Sequence, residues 1–266
     1  MSDQGLGVRR FGRVNWLGLQ TLVEREIRRF GAVWTQTLLA PLVTAGLFLM
    51  IFTFAIGPRR GDVMGVPFAS FLAPGLMTMT VIQNAFANSS SSIMVAKVQG
   101  NIVDTLMPPL SGTELTLGYL FGAVARGLAV AVVIALGIGL LLGSWPAHPL
   151  AALFFVVLGS TLMGGLGIIA AIYAQKFDQM AAITNFIVTP LAFLSGTFYS
   201  VEALPPVLAK ITHLNPIFYL IDGARFAMIG VSDSSPWLGA VICGLTTAVV
   251  VWIARWMLMT GYRLKA

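Results

Sequence analysis

The chain alternates long apolar runs with short polar islands. Six runs are long enough to cross a membrane, at roughly 33–57, 68–95, 114–143, 149–174, 180–198 and 236–260, because about 20 mostly apolar residues traverse about 30 Å of hydrocarbon. The expected fold class is all-α, a polytopic membrane protein. The most informative island is KVQGNIVDTLMPPLSGTE, Lys97 to Glu114. Within it Ile102, Val103, Leu106, Met107 and Leu110 recur at helical spacing while Asn101, Asp104 and Thr105 fall opposite, which predicts one or two turns of amphipathic helix. Pro108-Pro109 ends it, since proline lacks an N–H and pushes its predecessor out of the α region. Ser111 and Glu114, three apart before a new apolar run, predict a capping box that restarts a helix. A short helix held between two spans presents apolar side chains to something outside the membrane.

Ahead of the first span, residues 13–30 carry Trp16, Leu19, Val23, Ile27 and Phe30 on roughly one stripe, with Glu24, Arg25, Arg28 and Arg29 elsewhere around the helix. That pattern suits a helix lying in the headgroup plane; an ordinary surface helix is the alternative. Six spans put both termini on one side. Arg9, Arg10, Arg13, Arg25, Arg28, Arg29, Lys97, Lys176, Arg263 and Lys265 then share that side, against Arg59, Arg60, Lys210 and Arg225 on the other. The imbalance places both termini and the Lys97–Glu114 island in the cytoplasm.

Composition agrees. The 266 residues are 57% hydrophobic and 10% charged, where a soluble domain carries about 25% charged residues. The net charge of +6 points to anionic lipid headgroups and not to nucleic acid, because the basic residues form no groove-sized patch beside aromatics. Cys243, the single cysteine, excludes an internal disulfide and reads as a packing residue. No cleavable signal peptide is visible at the N-terminus.

Inside the spans, Pro41 should kink the first. The second is polar in its inner half, with Gln83, Asn84, Asn88 and Ser89 to Ser92. These groups face another helix, a second subunit or a wet path. The third carries Gly118 and Gly122, and Gly139 and Gly143, as small faces for close helix approach. It also carries Arg126 near mid-bilayer, to be partnered by amides such as Gln83 or Asn84, backbone carbonyls, water or an anionic substrate. The connection Thr197–Ser235 is too apolar for a free loop. It predicts short helices after Pro205 and Pro216, with Asp222 and Arg225 pairing on the polar side. It either dips into the membrane as a re-entrant pair or lies on its surface.

Several chemistries are missing. No G-x-x-x-x-G-K-[ST] occurs, and Gly159, Gly164, Gly165 and Gly167 lack the phosphate-binding lysine. His148 and His213 are far apart and lack zinc-protease spacing. An intramembrane serine hydrolase using Ser195 and His213 is the enzymatic alternative, and a passive channel the other.

Five stretches together carry a family likeness: FLAPGLMTM (Phe71–Met79), NSSSSIMVAKVQGNIVDTLMPPL (Asn88–Leu110), ARG (Ala125–Gly127), AQKFDQM (Ala174–Met180), and LSGTFYS with the following LPP and HLNP (Leu194–Pro216). With them the whole chain resembles a type-2 ABC transporter permease, in particular the YadH-like exporter branch. The resemblance implies a multi-pass inner-membrane subunit with residues 1–31 as a cytoplasmic segment and 32–266 as the transmembrane domain. It implies two cytoplasmic ATPase subunits, which bind ATP and Mg while this chain binds no cofactor, and a second permease copy. The coupling helix would be about 99–108, with Gly100, Asn101, Ile102, Val103, Asp104, Leu106 and Met107 in contact with the ATPase. The re-entrant segment would be about 198–230. Gln83, Asn84, Asn88, Arg126, Phe198, Tyr199, Asn215 and Tyr219 are the candidates for a path or gate, and the expected cargo is lipid-like, amphipathic or drug-like.

Overall fold

The structure, a computed structural model, describes residues 14–264. Arg9, Arg10, Arg13 and Lys265, four of the cations that set the expected orientation, lie outside the described residues. The described residues are helical throughout, with a single bridge between Val63 and Val66 as their only β pairing.

The elements follow the hydrophobic pattern. α1 (Trp16–Gly31) is capped by Asn15, whose side chain accepts from the Gly18 amide. α2 (Thr35–Ala55) opens with a π turn over Thr35–Leu39. Pro41 has no N–H to offer the Thr37 carbonyl, so the widened turn stands where a sharp kink was expected. α3 (Gly57–Arg60) is a single turn, α4 spans Phe68–Val98, α5 Ile102–Leu106, α6 Gly112–Leu142 and α7 Pro149–Tyr173. α8 (Phe177–Ile183) runs through a second π turn, Thr184–Val188, into α9 (Thr189–Phe193), again just ahead of a proline, Pro190. α10 (Pro206–Leu214), α11 (Pro216–Ile229) and α12 (Pro236–Thr260) complete the chain.

Four of these helices, α2, α6, α7 and α12, are both long and apolar enough to cross a membrane. α4 equals α6 in length, at 31 residues, but its amides and serines lower its hydropathy. The run from Phe177 to Phe193 is about 25 Å long at 1.5 Å per residue, slightly short for a span.

α4 is the axis of the bundle, packed by α2, α6, α7 and α11. α7 approaches it closely through glycine: a Cβ on Gly167 would lie 2.6 Å from the Phe86 carbonyl oxygen, and one on Gly164 2.7 Å from the Ala123 Cβ of α6. The α7 glycines are therefore helix contacts.

Gly118 and Gly122 give the close helix approach expected of them, to α1, since Cβ atoms there would meet Leu22 Cδ2 at 2.3 Å and Glu26 Cβ at 2.6 Å. Three expectations are revised. Gly139 abuts Trp145, and Gly143 is the left-handed C-cap of α6, with φ +65°. The inward stripe of α1 is accordingly Leu19, Leu22, Glu26 and Phe30, while Trp16 and Ile27 stay exposed. α11 is buried on every side, so Asp222 and Arg225 lie in the interior and not on a polar face.

Gly118→Leu should drive α1 off α6 at a cost of about 1–3 kcal/mol, read as lost thermal stability in detergent and faster proteolysis at α1. Gly244→Leu on α12, where a Cβ meets nothing within 4 Å, should leave both unchanged.

Candidate functional site

α5 is the shortest way from α4 to α6, and its surroundings decide which of its side chains are free. Gly100, at φ +73°, supplies the left-handed turn out of α4. Ile102 and Thr105 are buried and Leu106 half-buried, whereas Val103 is 53% and Met107 76% exposed. The apolar positions thus divide between the two sides of the helix. Ile102, Leu106 and Leu110 pack inward among Leu22, Ile93 and Leu115, and Val103 and Met107 stand outward with Asn101 and Asp104. Thr105 turns inward, contrary to expectation, because Arg25 of α1 donates to its hydroxyl at 3.2 Å. Beside Met107 lies an open hollow bordered by Lys97, Gly100, Val103, Gln175 and Arg263. Lys97 itself closes the C-terminal end of α7, its Nζ donating to the carbonyls of Ala171 (3.1 Å), Ile172 (2.8 Å) and Ala174 (2.6 Å), where a cation meets the negative end of the helix dipole.

Two carboxylates hold this region together. Glu114 forms the expected capping box with Ser111, and its second oxygen accepts from the Asn15 backbone N–H at 2.5 Å. One side chain thereby caps the start of α6 and fixes the start of α1. Glu26, fully buried, accepts from Arg29 at 3.0 Å, Arg25 at 3.4 Å and Ser92 Oγ at 2.6 Å. Arg29 reaches on to Ser91 Oγ (2.9 Å) and to the Asn88 carbonyl (2.7 Å) and side-chain oxygen (3.2 Å). A buried carboxylate is tolerated only with partners of this kind. The result is a continuous polar chain from α4 through Glu26 and Arg25 to Thr105 of α5. Sequence reasoning passed over Glu26; its position in the rhythm Leu19, Leu22, Glu26, Phe30 was the available signal.

The candidate path residues fall into two groups. On the α5 side of the bundle, Asn84 Oδ1 accepts from Arg126 Nε (3.2 Å) and Nη2 (2.7 Å), and Asn88 is buried on Arg29. Gln83 is half-buried and lines an open hollow between α4 and the α8–α9 run with Ser91, Met94, Phe177 and Thr184. Ser89 and Ser92 bond to α6 and α1, so part of the polar inner half of α4 is interhelical glue.

At the other end of α4, Phe198 packs on Phe52 (centroids 4.9 Å apart) and Phe193 (5.3 Å), and Tyr199 is half-buried. Asn215 caps α11 by accepting from the Ile217 amide at 3.0 Å. Tyr219 is buried beside Phe218 and His213. Under them Arg225, with no exposed surface, lies 3.5 Å from both Asp222 and Asp233, donates to the Gly196 carbonyl at 2.6 Å, and stacks 4.2 Å over the Phe71 ring. Asp233 was absent from the sequence reading.

The geometry removes the hydrolase alternative. Ser195 is fully buried, donates to the Leu191 carbonyl and accepts from Asn215 Nδ2 at 2.8 Å. His213 packs its ring against Phe218 at 5.0 Å, and Ser195 has Leu191 and Asn215 as its hydrogen-bond partners among the described residues, not His213. A hydroxyl committed in this way, without a base, is no nucleophile.

Glu26→Ala should destabilise the purified protein by about 1–3 kcal/mol, the cost of leaving the buried Ser92 hydroxyl and the partly buried Arg29 without their acceptor. Glu24→Ala, at an exposed pair, should cost under about 1 kcal/mol. Thermal unfolding of the two variants in the same detergent compares them, and equal losses would remove Glu26 from its central place.

Comparison with known proteins joins these features. Residues 18–229, from α1 to the end of α11, match the ABC-2 type transporter family. The chain is 38% identical over 219 residues to the inner membrane transport permease YadH of Escherichia coli K12, covering 82% of this chain and 85% of that one. It is 27% identical over 250 residues to nodulation protein J of Neorhizobium galegae, with 91% and 93% covered. An apolar helical bundle without phosphate-binding motifs, matched to transport permeases over most of its length, belongs to the ABC-2 type transporter family as a membrane transport permease and is not itself an enzyme.

Proposed function

We propose that this chain is the transmembrane subunit of an ATP-driven exporter, working as a pair of identical copies with two ABC ATPase subunits docked at the α5 end. In this reading the chain crosses the inner membrane six times, through α2, α4, α6, α7, the α8–α9 run and α12. Both termini, α1 and α5 are then cytoplasmic. ATP and Mg reside on the partner, and α5 with its flanks, about 99–108, is the coupling helix. The segment at about 198–230 closes the outer side as a re-entrant element. Spans one, two and five line the path, and the cargo is lipid-like, amphipathic or drug-like.

One observation supports this most strongly. α5 exposes Val103 and Met107 while Thr105 and Ile102 fasten it to α1, α4 and α6. A helix free on one face and anchored by buried groups on the other can pass a push from a docked subunit into the bundle. Glu26 gives that push a route, since Arg25 joins Thr105 to the carboxylate that Ser92 and Arg29 of α4 and α1 also hold. A partner closing on Met107 would move these together.

Met107→Asp tests the assignment in the complex co-expressed and purified with its cognate ATPase. The substitution should weaken association or transport-linked ATP hydrolysis by about tenfold or more, as loss of an interface anchor does. Thermal stability of the permease should change by no more than about 0.5 kcal/mol, because the side chain is exposed. Wild-type coupling in this variant would exclude α5 as the transmission element.

A further inference from the structure

The last turn of the described chain sets an arginine in place. Arg263 has φ +52°, a left-handed conformation uncommon in residues with a Cβ. Leu264 pins the turn, since it is 3% exposed and lies in one apolar cluster with Ile102, Leu115 and Met257. The Arg263 guanidinium stands over the Tyr173 ring at 4.5 Å and nears that of Tyr262 at 5.8 Å. Stacking engages the face of the guanidinium and leaves the fork of N–H donors on its edge for an acceptor. Among the described residues no carboxylate pairs with it.

Arg263 borders the hollow beside α5, which has room for water over about 870 Å³, inside the range of sites that receive a ligand, about 300–1,000 Å³. A second cation, Lys97, borders it too. The N–H groups of Lys97 are spent on the carbonyls of Ala171, Ile172 and Ala174. Those oxygens are neutral, so its charge is not cancelled, and Arg263 acts on it as a like charge. No aspartate or glutamate lines the hollow, and Asp104, the acidic residue of α5, borders a separate hollow against α1. The rest of the wall is largely apolar, with Ile102, Val103, Leu106 and Met107 of α5 and Leu264.

We infer that this hollow receives an acidic side chain of the docked ATPase subunit, an aspartate or glutamate on an otherwise apolar projection, with Arg263 as its main partner. The inference rests on the exporter reading above and adds to it the chemistry of the partner's surface. Two cations and an apolar wall in one cavity call for a carboxylate carried on apolar surface. The cavity shares its rim with the exposed Val103 and Met107, so it is continuous with the face through which α5 docks in that reading. A charge placed there selects the partner, because an ATPase with a lysine or a second cation at the matching position would be repelled.

The test measures binding of the purified cognate ATPase to the full-length permease in nanodiscs, by biolayer interferometry at low and at high salt. Arg263→Glu should weaken association by about tenfold or more at low salt, since repulsion replaces attraction, and by less at high salt, where exposed charges are screened. Arg263→Lys should weaken it less. Arg28→Glu, the same change of charge at an exposed residue of α1 outside the hollow, should leave it unchanged. Arg263 is exposed, so its variants should keep the wild-type unfolding temperature. A carbodiimide joins an amine to a nearby carboxylate; in the Arg263→Lys complex it should link position 263 to an aspartate or glutamate of the ATPase, located by peptide mass spectrometry. Wild-type affinity in Arg263→Glu, an equal loss in Arg28→Glu, or a complex that yields no such link overturns the inference. Failure of the wild-type permease to bind the ATPase overturns the exporter reading and this inference together. A complex that Met107→Asp weakens and Arg263→Glu does not overturns this inference alone.

Discussion

A charge carried into an apolar bundle needs partners inside the protein, and the two most deeply buried, Glu26 and Arg225, find theirs against α4. At one end Glu26 gathers Arg25, Arg29 and Ser92; at the other Arg225 gathers Asp222, Asp233 and the Gly196 carbonyl over the Phe71 ring. Breaking such a pair costs several kcal/mol, so the geometry around each is over-determined. Gly122 must be glycine for Glu26 to approach α6, and the Gly196 turn must present its carbonyl to Arg225. α1 and α11, the two helices that bring these charges, are held to α4 by hydrogen bonds and a cation–π contact of these charged groups as well as by packing.

The stretches that carry the family resemblance are distant in sequence and adjacent in space. The glycine of FLAPG comes so near LSGT that a Cβ on Gly75 would lie 2.5 Å from the Thr197 carbonyl oxygen. Lys97 bonds to Ala174, the first residue of AQKFDQM. In ARG, Arg126 holds Asn84, and a Cβ on Gly127 would strike Ser160 Oγ at 2.1 Å. A motif of this sort is one half of a contact, which explains why no single stretch is decisive.

What the sequence made legible is local. Hydropathy and length located the long helices, Pro108-Pro109 ended α5, and Ser111 with Glu114 gave the capping box as drawn, because each depends on neighbours a few residues away. What it hid depends on distant partners. The pattern puts Trp16, Val23 and Ile27 on the stripe of α1 beside Leu19 and Phe30, which are buried, because a glutamate is not read as a core residue, and the cleft at Gly118 and Gly122 takes Glu26 inward. Thr105 looked like a solvent residue until Arg25, eighty positions earlier, arrived beside it. Pro41 announced an interrupted helix, yet the widened turns ahead of it and of Pro190 lie upstream of each, where no residue type marks them.

The carboxylate of Glu114 has a consequence in time. It accepts from a backbone amide 99 residues earlier, so the start of α1 has no final anchor until α6 has been made. At about 5–20 residues per second of synthesis, the start of α1 waits about 5 to 20 seconds for Glu114 and Glu26 about 3 to 13 seconds for Ser92. During that interval Arg25 and Arg29 of the same helix are the partners Glu26 has. The first of the described helices is thus seated only after α2 to α5 have been made, on a helix from the middle of the chain.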